Sequence, residues 1–129
     1  MSDKTIAQKL SIKPGHRLLL INPPAGYRTL MGELPAGARL LNEIRGPVEA
    51  IQVFVANRAE LEEQLPRLKG LLSARGMLWV TYHKGTSKVK TDINRDTIVA
   101  YARTFGLQGV AMISIDDNWA ALRLKPVGD

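Results

Sequence analysis

The clearest pattern in this chain is a pair of short apolar runs flanking a stretch with helical periodicity. Residues 50–55 and 77–82 are rich in β-branched and aromatic side chains, as strands are. Between them Leu61, Leu65, Leu68 and Leu72 recur on one helical face, with Arg58, Glu62, Glu63, Arg67 and Lys69 elsewhere. Asn57 is placed to cap this helix, Glu60 to reach back as in a capping box, and Gly76 to end it; Pro66 predicts a kink. Strand, helix and strand in this order make a βαβ unit and imply a parallel sheet.

The flanking segments extend this scheme. Ile6, Leu10 and Ile12 predict a short helix closed by Pro14-Gly15, followed by an unbroken apolar strand at 17–21. Asn22-Pro23-Pro24 stops that strand. Tyr27, Leu30, Met31 and Leu34 then predict a short helix with Pro24 in its first turn, ended by Pro35-Ala36-Gly37. Residues 39–42 suggest a brief edge strand whose link to Ala50 is too short for a crossover helix. That strand is therefore either very short or antiparallel. A polar loop covers 83–91, and a helix is expected over 94–105, with Asp92 and Asp96 near its start and Gly106 just beyond its end. Residues 110–115 and 119–125 alternate by side around Asp116-Asp117-Asn118, which predicts a β-hairpin.

Composition narrows the class. At 129 residues the chain is expected to form one domain over 1–129, with a hydrophobic fraction of 45% that is ordinary for a soluble globular protein. No apolar run is long enough for a membrane helix, and the first residues lack a signal-peptide core, so a cytoplasmic location is expected. The absence of cysteine excludes disulfides, thiolate metal sites and thiol nucleophiles. The net charge of +6 is spread along the chain rather than gathered on one helix face. Charge alone argues only for non-specific attraction, so nucleic-acid binding is the weaker expectation.

The segments Lys9-Leu10-Ser11-Ile12-Lys13-Pro14-Gly15, Asn22-Pro23-Pro24-Ala25-Gly26-Tyr27, Arg58-Ala59-Glu60-Leu61, Gly76-Met77-Leu78-Trp79-Val80 and Asp117-Asn118-Trp119 resemble a bacterial family of small domains of unknown function. The βαβ core leading to a C-terminal hairpin resembles the closing half of the methyltransferase sheet, whose strand order is 3-2-1-4-5-7-6. The resemblance implies a three-layer Rossmann-like α/β fold, a truncated methyltransferase fold. Its sheet would be mostly parallel, of about five or six strands, with a C-terminal antiparallel hairpin.

The same comparison argues against a cofactor. A dinucleotide-type turn after the first strand is rich in glycine, so that backbone can approach the ligand. Here that turn carries Pro23, Pro24 and the single Gly26. Glu33 or Glu43 could take the place of the acidic residue that holds ribose hydroxyls, but the segment between the first and third strands is compressed. Asn22-Pro23-Pro24 also resembles the Asn-Pro-Pro-aromatic motif of amino-methyltransferases, yet it follows the wrong strand and Ala25 stands where the aromatic belongs.

These readings give three expectations. The first is a non-catalytic binding or interaction domain with no cofactor, on a degenerate methyltransferase-like scaffold, taking a small anionic ligand or a protein partner. The second is an S-adenosylmethionine-dependent methyltransferase-like enzyme, and the third a weak nucleic-acid binder, for which Lys84, Lys88, Lys90 and Arg95 would have to share a face. The ligand-binding residues expected are Asn22, Tyr27, Asn57, Arg58, His83, Lys84, Thr86, Ser87, Lys88 and Lys90, around one crevice at the carboxyl edge of the sheet. No catalytic or metal residues are expected, because His16 and His83 lack suitably spaced carboxylates. An unpaired hairpin edge also offers a route to a homodimer.

Overall fold

The structure, a computed structural model, describes residues 5–43, 46–85 and 91–127. A six-stranded sheet forms its middle layer, in the order β2-β1-β3-β4-β6-β5. The strands are β1 (Arg17–Ile21), β2 (Arg39–Leu41), β3 (Val48–Phe54), β4 (Leu72–His83), β5 (Leu107–Ser114) and β6 (Trp119–Pro126). The first four are mutually parallel, and β6 runs antiparallel to both β4 and β5. This is the expected methyltransferase order with its outermost strand absent. The undecided edge strand proves to be three residues long and parallel to β1.

Helices cover both faces because β1, β3 and β4 are apolar on both sides. On one face α3 (Arg58–Lys69) and α4 (Arg95–Arg103) pack Leu61, Leu65, Leu68, Ile98 and Ala102 against Leu19, Ile51, Val53, Leu78 and Val80. On the other, α1 (Ile6–Lys9) and α2 (Tyr27–Met31) pack Ile6, Leu10, Tyr27 and Met31 against Leu18, Ala50, Phe54 and Trp79. The buried Trp79 indole fastens the end of α1 by donating to the Leu10 carbonyl at 3.1 Å.

Several local expectations are corrected. Gly76 does not end α3, which stops at Lys69 with Gly70 as its cap; Gly76 lies inside β4, and Leu72 opens that strand instead of extending the helix face. Glu60 accepts from the Ala56 amide rather than from Asn57, one residue away from a true capping box. Helix α3 runs through Pro66, whose missing N–H leaves the Glu62 carbonyl without its helical donor. The Tyr101 hydroxyl donates to that carbonyl at 3.4 Å. Pro24 precedes α2, which is opened by Gly26 at φ 81°, and Leu30 on that helix faces solvent. With only five residues, α2 can turn just Tyr27 and Met31 into the core.

Candidate functional site

The carboxyl ends of β1, β3 and β4 converge on one edge of the sheet. After β1 the chain turns through Asn22 (φ 57°) and Gly26 (φ 81°), both left-handed, and a side chain at Gly26 would meet nothing within 4 Å. This turn therefore presents open backbone to solvent. It delivers Tyr27 inward, where the phenol donates to Gln52 Oε1 at 2.9 Å and Gln52 Nε2 donates to Thr81 Oγ1 at 3.0 Å. All three side chains are buried. Burial holds the Tyr27 hydroxyl well above its ordinary pKa, so it stays a donor.

Beside this chain of hydrogen bonds runs a row of rings. Tyr27 meets Phe54 edge-on at 4.7 Å, Phe54 meets Trp119 edge-on at 5.0 Å, and Trp119 stacks on His83 at 4.0 Å. Desolvation lowers the His83 pKa, and its Nδ1 is buried without a hydrogen-bond partner. The Trp119 amide donates to Asp116 Oδ1 at 2.9 Å, so the hairpin turn fixes where that indole stands.

The six expected ligand residues that are described, Asn22, Tyr27, Asn57, Arg58, His83 and Lys84, do not gather into one site. Tyr27 and His83 belong to the ring row. Asn57 and Arg58 serve the helix instead: Asn57 Oδ1 accepts from the Glu60 amide, and Arg58 pairs with Glu62 at 2.8 Å while lying over the Tyr101 ring. Lys84 follows His83 directly but falls on the opposite face of the sheet. There its Nζ donates to Ser114 Oγ at 2.6 Å, in a largely apolar cleft of about 470 Å³ lined also by Tyr82, Arg95 and Met112. Thr86, Ser87, Lys88 and Lys90 lie outside the described residues. The single crevice expected from the sequence is thus at least two surfaces. Gln52 and Thr81 were missed. Their only signal was one amide and one hydroxyl inside otherwise apolar runs.

Comparison with known proteins bears on the fold. No family model and no curated protein matches the chain. Among solved structures it is similar to an rRNA methylase from Streptococcus thermophilus, at 9% identity over 99% of each chain with a TM-score of 0.60. It is also similar to a TehB-like SAM-dependent methyltransferase from Corynebacterium glutamicum, at 12% identity over 96% of this chain and 89% of that one, TM-score 0.59. A third similar structure is the DhpI–SAH complex, at 8% identity over 96% and 84% of the two chains, TM-score 0.63. The fold is a methyltransferase-like one. At such identities the likeness speaks for the fold alone. Among the described residues no helix is long and apolar enough to cross a membrane, and no cluster of three or more His, Asp or Glu could hold a metal.

Proposed function

We propose that this chain binds S-adenosylmethionine or its demethylated product at the carboxyl edge, against the turn 22–27, as a pared-down methyltransferase-type domain. The observation that supports this is architectural. The sheet keeps the order of the methyltransferase fold up to one edge strand, and similar structures of near-equal length include methylases and an SAH complex. Open α/β sheets bind ligands outside the carboxyl ends of their strands.

The residues at this edge fit such a ligand in part. Left-handed Asn22 and Gly26 expose backbone where the ligand would approach, and Glu43, shortly after β2, is an acidic residue on the side of the sheet where a ribose would lie. The Tyr27–Gln52–Thr81 hydrogen bonds anchor the turn from below. A bound S-adenosylmethionine supplies a methyl group on an electrophilic sulfonium; the protein's share here is to hold and orient it.

A second reading has its own support. Pro23 and Pro24 stiffen the turn where cofactor-binding turns carry glycine, and the rings of Tyr27, Phe54, Trp119 and His83 fill the space between strand ends. On that reading the domain has no cofactor and engages a small anion or a protein partner.

Calorimetric titration with S-adenosylmethionine and its demethylated product separates the two. Micromolar binding, weakened about tenfold by Glu43→Ala, is expected. No heat at millimolar ligand would sink the cofactor reading and leave the binding domain.

A further inference from the structure

The opposite edge of the sheet holds a feature that neither reading uses. Val48 of β3 faces Leu72 of β4, yet Ala50 faces Met77, so the four residues 73–76 of β4 stand against the single Glu49 of β3. The chain accommodates them in a bulge with Arg75 at φ 66°. Gly76 packs so closely that a Cβ there would lie 2.9 Å from the Ser73 carbonyl oxygen. Two clefts, of about 430 and 750 Å³, adjoin the bulge, and Arg75 and Arg123 stand in the walls of both.

The polarity of these clefts is one-sided. The smaller adds Lys13 and His16, and the larger adds Lys69 and Lys125. Glu49 is the acid in the walls, and it is already spent: Arg17 holds both of its carboxylate oxygens, at 3.2 and 2.7 Å, and the Arg17 amide donates to it at 2.7 Å. His16 Nδ1 accepts from the Lys13 amide at 3.0 Å, which leaves the ring proton on Nε2 as a donor. Lys69 also donates to the Phe105 carbonyl. Most telling is Arg123, whose Nε is buried and has no hydrogen-bond partner. The guanidinium lines both clefts and has no carboxylate partner among the described residues, so an anion in either cleft would supply the missing countercharge.

We propose that the amino edge of the sheet is a binding site for a small phosphoanion carrying two or more phosphoryl groups. Arg75 and Arg123 would stand between the two clefts, Lys13 and His16 would take one phosphoryl group, and Lys125 the other. A guanidinium pair suits this geometry because each presents several N–H donors in one plane to phosphate oxygens. A single phosphate would occupy one cleft and leave the cations of the other unmatched, so charge favours the longer anion. The site lies across the sheet from the turn 22–27, so it stands or falls independently of the cofactor reading.

Titration with inorganic diphosphate, run beside monophosphate, tests this by calorimetry and thermal unfolding. Diphosphate is expected to bind at least about tenfold more tightly than monophosphate, to raise the melting temperature, and to weaken with added salt. Arg75→Gln, an exposed position safe for folding, should weaken diphosphate about tenfold or more, as should Arg123→Gln. Arg103→Gln, an exposed cation at the end of α4, should leave affinity unchanged. No binding at millimolar diphosphate overturns the proposal, and so does binding indifferent to Arg75→Gln. A short single-stranded oligonucleotide that binds more tightly than diphosphate through the same two arginines would overturn the assignment to a small anion.

Discussion

At the scale of single residues, the centre of the molecule rests on a polar exception. Gln52 is fully buried in the middle of the sheet, which is tolerable only because Tyr27 and Thr81 satisfy its amide. Three elements, α2, β3 and β4, are thereby tied at one point beneath the turn 22–27. Tyr27→Phe would leave Gln52 Oε1 buried with no donor, at a cost of about 1–3 kcal/mol. The combined change Tyr27→Phe, Gln52→Leu, Thr81→Val should cost less than that single change, because it removes partners together and leaves nothing orphaned. Urea unfolding of the variants measures both. A Tyr27→Phe variant as stable as the native protein would show that water reaches Gln52 and that the chain is not closed.

At the scale of elements, the starts of α3 and α4 were legible in the sequence because a cap is a local event. Asn57 accepts from the amide three residues on, as its side chain predicts, and Asn94 does the same at the start of α4. What escaped notice is a cap supplied from elsewhere. Asp92, which sequence proximity assigns to α4, instead accepts from the Arg58 amide at 2.8 Å, and Thr91 donates to the Ala56 carbonyl at 2.7 Å. The segment before α4 is thus fastened to the start of α3. Asp92→Ala should destabilise by about 0.5–2 kcal/mol, while Asp96→Ala, whose side chain is exposed in the first turn of α4, should cost less. Equal losses in chemical denaturation would return Asp92 to the role its position suggests. The end of α3 was misplaced for a related reason. Gly76 reads as the helix stop because Leu72 extends the apolar face beyond Gly70. The difference lies in what Gly76 packs against, the Ser73 carbonyl across a bulge, and a neighbour created by strand pairing leaves no local mark.

At the scale of the whole molecule, the order of strands followed from the resemblance of the βαβ core and hairpin to the methyltransferase sheet, but the site did not follow. His83 and Lys84 are adjacent in sequence and therefore lie on opposite faces of the sheet, since side chains alternate along a strand. Polar residues gathered by sequence proximity were bound to be divided by the sheet that carries them. The same sheet brings distant charges together, and this shows in acid. Arg17 opens β1 and Glu49 lies near the start of β3; their pairing lowers the Glu49 carboxyl from 4.5 to about 2. Burial likewise lowers His83 from its ordinary 6.5. In both cases the unfolded chain takes up the proton first, so the stability these groups contribute is present at higher pH and is lost as pH falls. His83 gives way first, as pH drops below 6.5, and Glu49 follows between 4.5 and about 2. Urea midpoints followed from about pH 8 to about pH 2 should therefore fall in two stages. Glu49→Gln should remove most of the lower stage and leave the upper one in place. An unaltered lower stage in that variant would mean that other carboxylates, rather than the bridge joining β1 to β3, set the acid limit of the fold.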